Sequence, residues 1–173
     1  PPPERTEIPK PHSVQVEALD ALRRTREAGM SAGLVVLATG LGKTWLSAFD
    51  SIGFGRVLFV AHREEILQAI ARHQVVIVLN QALETFRRVR PEDYLGRYDG
   101  SSKHPNAKVL FASIQTLSRQ AHLDRFPADH FDYIVVDEFH HASAATYRRV
   151  LHHFQPRFVL GLTATPERSD GAD

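Results

Sequence analysis

The sequence predicts an α/β domain, a parallel β-sheet with helices on both faces. Three observations predict it. Short apolar runs alternate along the chain with segments of helical periodicity. A glycine-bearing turn, Gly40-Leu41-Gly42, follows the first run and opens a helix. A pair of carboxylates, Asp137 and Glu138, ends a later run. Strands separated by helices pair in parallel, because a parallel partner needs a crossover long enough to hold a helix.

Taken in order, residues 1–11 (PPPERTEIPKP) read as a polar, proline-rich leader and residues 12–173 as the domain. Helical spacing begins at Ser13, a suitable N-cap, with Val14, Ala18, Leu19, Ala21 and Leu22 as the apolar stripe. Gly29 and Gly33 close that helix. LVVLAT (34–39) is a continuous apolar run, the pattern of a strand buried on both faces. A helix follows from about Lys43 to Ile52. RVLFVA (56–61), KVLFAS (108–113), YIVVDE (133–138) and RFVLGL (157–162) read as further strands. Helices are expected from His62 onward, near Ile114–Gln120 and across Ala144–Phe154.

With 173 residues, 43% apolar and 24% charged, the chain suits one soluble domain with a real core. No apolar run is long enough to cross a bilayer, and the N-terminus lacks the apolar centre of a secretory signal. Cysteine is absent, which excludes disulfides, thiolate metal sites and cysteine nucleophiles and fits a reducing compartment; a cytoplasmic location is expected. The net charge is only +1, so any nucleic-acid binding should be modest and salt-sensitive, or shared with another domain.

LATGLGKT (37–44) nearly matches the phosphate-binding loop GxxxxGK[ST], with Leu37 in the first glycine slot. Thr39, Gly40, Leu41 and Gly42 form the loop, whose small residues would let backbone N–H groups close around phosphate oxygens. Lys43 would place a point charge on the β- and γ-phosphates, and the Thr44 hydroxyl would ligate Mg²⁺. The helix opening there directs its positive end at the same anion. In YIVVDEFHH (133–141), Asp137 would hold Mg²⁺ and Glu138 would orient and deprotonate the attacking water. ATP and Mg²⁺ are therefore the expected ligands.

Lys43-Thr44 taken with Asp137-Glu138-Phe139-His140 resembles superfamily 2 helicases of the DExH type. Leu162-Thr163-Ala164-Thr165-Pro166 resembles their motif III. Pro11-His12-Ser13-Val14-Gln15 resembles the glutamine element that precedes the phosphate loop. Val60-Ala61-His62-Arg63-Glu64 and Ala112-Ser113-Ile114-Gln115-Thr116-Leu117 resemble motifs Ia and Ib. All stand in family order over roughly residues 11–170, most like the bacterial proteins grouped with restriction-subunit (Res) ATPases. The resemblance implies the first RecA-like domain of a helicase or translocase. It implies that Gln15 reads adenine, and that His140, Thr163 and Thr165 couple the γ-phosphate to domain movement. It also implies that His62, Arg63, Ser113, Gln115 and Thr116 line a nucleic-acid track, with DNA preferred over RNA. The partner is a second RecA-like domain of the same protein, and no membrane is expected.

Blander readings stand beside these. Gln15 could be a surface helix residue, His62 and Arg63 solvated helix-start residues, and Ser113 and Thr116 ordinary caps. Trp45 reads as core packing rather than a base-stacking platform. His140-His141 and His152-His153 are adjacent pairs, which do not face one way on a helix, so zinc is not expected. Relatives run from a segment like HREEIL straight into one like NQALETFRR, so residues 68–79 look like an insertion. Its Val-Val-Ile-Val favours a strand, yet no breaker separates it from its surroundings. One long helix and a helix-strand-helix both remain open. A nucleotide-binding switch or regulatory ATPase that borrows the fold without unwinding is the alternative function, and a phosphate-loop kinase would need an acceptor lid that the sequence lacks.

Overall fold

The computed structural model describes residues 7–38, 40–62, 68–139 and 144–164. The elements are α1 (Ser13–Glu27), β1 (Ala32–Leu37), α2 (Gly40–Asp50), β2 (Val57–Ala61), α3 (Gln68–Val89), β3 (Leu95–Tyr98), β4 (Val109–Ser113), α4 (Ile114–Leu117), α5 (Gln120–Leu123), β5 (Tyr133–Val136), α6 (Ala145–His153) and β6 (Phe158–Ala164). The six strands form one sheet in the order β1-β6-β5-β2-β4-β3, and every pairing is parallel. The expected fold class is what the chain adopts.

Strand pleating divides the core in two. Val57, Phe59 and Ala61 of β2 point to one face with Val109, Phe111, Val135 and Leu160, where Leu22, Leu46, Leu79 and Phe86 of α1, α2 and α3 cover them. Leu58 and Val60 point to the other with Leu110, Ala112, Ile134 and Val136, under Leu117, Leu123, Tyr147 and Val150 of α4, α5 and α6. Central strands covered on both faces must be apolar at every position, which is why β2, β4 and β5 are legible as unbroken apolar runs.

Several expectations need correction. β1 is not buried on both faces. Among the described residues it lies at the sheet edge, pairs only with β6, and leaves Leu34 56% and Val36 49% exposed. The Ser13 cap is displaced by one residue: His12 precedes the helix, and the Gln15 Oε1 accepts the His12 backbone N–H at 2.9 Å. Gly29, at φ +88°, ends α1 in the left-handed conformation glycine permits, whereas Gly33 lies inside β1. The strand expected to end at Glu138 stops at Val136, because Glu138 has φ 55°, which no strand accommodates. The helix expected near Ile114–Gln120 is two single turns, α4 and α5. β3 has no counterpart in the expected elements.

Residues 68–79 belong to one helix, α3. Val75, Leu79, Ala82, Leu83 and Phe86 recur at helical spacing and are all buried in the first core cluster. That packing outweighs the local β preference of Val-Val-Ile-Val, and Ile77 and Val78 are left on the exposed side.

Candidate nucleotide and nucleic-acid sites

The strand order decides what meets at the C-terminal edge of the sheet. Only β6 separates β1 from β5. The phosphate loop after β1 and the carboxylates after β5 therefore flank the end of β6, which carries Thr163 opposite Val36. Ligands of open α/β sheets bind at this edge.

α2 opens at Gly40, so its positive end and the Lys43 ammonium point into one space. Lys43, Thr44, Asp137 and Glu138 all line a cavity of about 230 Å³, whose far wall is Val78, Gln81, Ala82 and Thr85 of α3. Lys43 Nζ stands 3.7 Å from Glu138 Oε1, an ion pair longer than a hydrogen bond. The lysine lines the ligand space, yet its side chain is only 2% exposed. A buried ammonium needs an anion, and Glu138 is the one recorded at ion-pair distance among the described residues.

Glu138 is the one non-glycine residue with positive φ among the described residues. That conformation costs on the order of 1–2 kcal/mol, and such strain concentrates at functional positions. The neighbouring contacts hold it. The Asp137 N–H donates to the Val60 carbonyl at 3.0 Å, which anchors the turn to β2. Phe139 seats over Gly161 of β6, where an added Cβ would fall 2.7 Å from Phe139 Cδ2 and 2.8 Å from Cγ. Cγ lies on the Cβ–Cγ axis, so turning the ring about that bond does not relieve the clash, and the side chain must shift as a whole. Gly161→Ala should therefore push the loop outward, lowering ATP turnover about 10–100-fold, since a shift near 1 Å can cost that much, with nucleotide affinity little changed. Phosphate release beside nucleotide titration checks this; turnover within a factor of two would show that the seat is unimportant.

Sequence reasoning missed Tyr147 of α6. It lies 1% exposed beneath the carboxylates, and its hydroxyl has no hydrogen-bond partner among the described residues. Burial first, then the charges of Asp137 and Glu138, raises its pKa above the ordinary tyrosine range. Nothing in the sequence marks it apart from its place in the helix after the DExH segment.

On the other flank of α2, a cavity of about 550 Å³ is lined by Gln15, Gly42, Trp45, Phe49, Pro9, Lys10 and His12. Gln15 is buried and faces this space rather than solvent. Trp45 packs against the first core cluster while remaining half-buried, so the core reading holds in part.

The motif Ia and Ib candidates converge because β2 pairs with β4, setting Ala61 beside Ser113. Gln115 Nε2 donates to His62 Nδ1 at 3.1 Å, and Ser113 Oγ donates to Gln115 Oε1 at 3.3 Å. Ser113, Gln115 and Thr116 line a further cavity of about 430 Å³ together with Lys103, Arg119 and His122. Burial, and then the charges of Lys103, Arg125 and Arg119, lowers the His122 pKa. Lys103 and Arg119 were not foreseen; a signal existed only in their position beside the strands' C-terminal ends. Thr163 Oγ1 donates to the Ala164 carbonyl at 3.4 Å. Thr39, Arg63, His140 and Thr165 lie outside the described residues, as does the side chain of Leu41. Among the described residues no group of three or more His, Cys, Asp or Glu could hold a metal, and no helix is long and apolar enough to cross a membrane.

The family model described as "Type III restriction enzyme, res subunit" matches residues 8–168. The chain is 30% identical over 166 residues to the putative ATP-dependent helicase IRC3 of Saccharomyces cerevisiae, covering 90% of this chain and 23% of that protein. It is 33% identical over 142 residues to the putative DNA 3'-5' helicase Rad25 of Halobacterium salinarum, covering 81% of this chain and 22% of that one. It therefore spans less than a quarter of the length of either. Among solved structures, the Pyrococcus furiosus Hef helicase domain superposes with a TM-score of 0.66 at 25% identity, over 92% of this chain and 34% of that one. The Sulfolobus solfataricus SWI2/SNF2 ATPase core shares the fold at a TM-score of 0.62 and 16% identity, over 93% of this chain and 33% of that one. The phosphate loop after β1, the DExH turn after β5 and the match across 8–168 agree: the chain belongs to the type III restriction enzyme res-subunit family, as the first RecA-like ATPase domain of the superfamily 2 helicase type.

Proposed function

We propose that this domain binds ATP with Mg²⁺ at the Lys43–Glu138 cavity and hydrolyses it to drive a motor on nucleic acid, DNA in preference to RNA. The observation that carries the reading is the 3.7 Å pairing of Lys43 with Glu138 across a space that Thr44 and Asp137 also line. A hydroxyl and one carboxylate are a suitable protein share for Mg²⁺, which prefers hard oxygens and takes its remaining ligands from water and phosphate. When bound, the ion neutralises charge on the β- and γ-phosphate oxygens. Lys43 and the start of α2 hold the phosphates. Asp137 and Thr44 would hold the ion. Glu138, released from Lys43 as the phosphates arrive, takes a proton from the attacking water.

DNA is favoured because the 33%-identical archaeal relative is named a DNA helicase, although a 27%-identical mimivirus relative is named an RNA helicase. His62, Ser113, Gln115 and Thr116 would contact phosphates, which position a protein without reading sequence. Thr163, with His140 and Thr165, would pass γ-phosphate occupancy to a second RecA-like domain. The cysteine-free composition supports a cytoplasmic setting.

Lys43→Met tests the site while preserving volume in a buried position. It should weaken ATP binding about 10–100-fold, the worth of a charge-assisted contact, with a near-unchanged melting temperature. Retained affinity in titration calorimetry would remove the phosphate-loop reading.

A further inference from the structure

We propose that Tyr147 is a positioning residue for Asp137, its hydroxyl donating to the carboxylate oxygen that does not face Mg²⁺. The proposal rests on the nucleotide reading of the Lys43 cavity and adds a residue behind the ion's protein ligand.

Tyr147 is placed by the fold rather than by a motif. It stands in the first turn of α6, the helix that follows the DExH segment. α6 is tied down further along: the Arg149 guanidinium donates to the Ser118 carbonyl at 3.2 Å, and His153 Nε2 donates to the Phe126 carbonyl at 2.8 Å. The Tyr147 ring belongs to the second core cluster with Ile134 and Val136 of β5, the strand that leads into the carboxylates. The His62 ring packs on it with centroids 6.2 Å apart. A ring held on these sides keeps its hydroxyl in one place, and groups on rigid elements hold a site most precisely.

The hydroxyl itself is out of keeping with a packing role. Buried polar groups are nearly all hydrogen-bonded, and a buried tyrosine normally finds a partner for its O–H. Tyr147 is 1% exposed, yet its hydroxyl has no partner among the described residues. Phenylalanine would fill the same space without the cost of an unmet donor. The charges that act on this hydroxyl are those of Asp137 and, less strongly, Glu138; with burial they keep its proton in place, so it meets them as a donor.

Chemistry chooses between the two carboxylates. Glu138 pairs with Lys43 and must keep a basic oxygen for the proton of the attacking water. A hydroxyl donating to it would lower that basicity. Asp137 has the opposite need. A carboxylate that gives one oxygen to a metal is fixed by a donor on the other, and such partners decide how well the ion is held. The Asp137 backbone is already anchored, its N–H donating to the Val60 carbonyl at 3.0 Å. The rotation of its side chain is what the Tyr147 hydroxyl would set.

Tyr147→Phe removes one oxygen and keeps the ring. Residues 1–173, parent and variant, are titrated by calorimetry with the β,γ-imido analogue of ATP, over a series of Mg²⁺ concentrations and in EDTA. The parent should bind the analogue more tightly as Mg²⁺ rises. The variant should need about 10–100-fold more Mg²⁺ for the same gain, the usual cost of losing a group behind a metal ligand, and should match the parent in EDTA. Its ligand-free melting temperature should be unchanged or higher, since an unmet donor has been removed. In an Asp137→Asn background, Tyr147→Phe should add no further loss. Equal Mg²⁺ dependence in parent and variant overturns the proposal. So does an equal loss in EDTA, or a lowered melting temperature, either of which would mark the hydroxyl as structural. An undiminished effect in the Asp137→Asn background overturns it too, because the hydroxyl would then act elsewhere. If Mg²⁺ strengthens the parent's binding and the variant does not differ, Tyr147 fails alone. If Mg²⁺ does not strengthen the parent's binding at all, the metal reading of the Lys43 cavity fails, and the role of Tyr147 with it.

Discussion

Glu138→Gln should bind ATP as well as the parent, or better, and hydrolyse it about 10²–10⁴-fold more slowly, the usual effect of removing a general base. The substitution keeps the side chain's length and shape and removes its charge and basicity. The neutral amide no longer pairs with Lys43, which stands 3.7 Å away, so the ammonium is more available to the phosphates. The left-handed backbone at position 138 should persist, because the Asp137 N–H to Val60 carbonyl bond and the seat of Phe139 over Gly161 are untouched. Phosphate release at saturating ATP, beside nucleotide affinity by calorimetry, separates chemistry from binding. Turnover within a factor of two of the parent would mean that another group takes the proton. Loss of binding together with turnover would mean that Glu138 is structural.

What could be read in the sequence follows from where each element is buried. β2, β4 and β5 are covered on both faces, so Leu58, Phe59, Val60 and their neighbours leave an unbroken apolar signature. β3 is an edge strand carrying Gly96 and Arg97, with only alternate residues buried, and four such positions give too little pattern to detect. β1 misled in the opposite direction, because Leu34 and Val36 are apolar but uncovered within the described residues. In α3 local preference and tertiary packing disagree, and only the contacts of Val75 and Leu79 with the core decide for a helix. The candidate site was more legible than the fold around it, since Lys43, Thr44, Asp137 and Glu138 sit in motifs whose spacing carries their chemistry. Tyr147, Lys103 and Arg119 reach their sites through sheet order and crossover geometry, which no local pattern encodes. Trp45 was legible as a core residue and is one; its second face, toward Gln15, depends on how α1 lies beside α2.

ATP turnover by residues 1–173 alone should fall about 10³–10⁵-fold below that of a chain carrying both RecA-like domains, the usual worth of an arginine that reaches the transferred phosphate. Phosphoryl transfer is catalysed mostly by positioning and by charge, and the Lys43 cavity offers little charge beyond Lys43 itself. Among the described residues lining it, Lys43 is the sole cation; the others are Thr44, Phe59, Val78, Gln81, Ala82, Thr85, Asp137 and Glu138. Once the phosphates engage Lys43, nothing in that lining compensates the charge developing on the leaving group. The superfamily 2 resemblance implies that a second RecA-like domain would supply the missing cations by closing over the C-terminal edge of the sheet. Closure also excludes water and strengthens the Lys43 interaction. Nucleic acid bound across His62, Ser113, Gln115 and Thr116 would favour that closed state, so its stimulation should vanish in the single domain. The measurement is steady-state phosphate release by residues 1–173 and by the two-domain protein, each with and without single- and double-stranded DNA and RNA. A single domain that matches the stimulated two-domain rate would overturn the expectation and direct attention to Arg63 and Arg168, whose substitution by alanine should then abolish turnover.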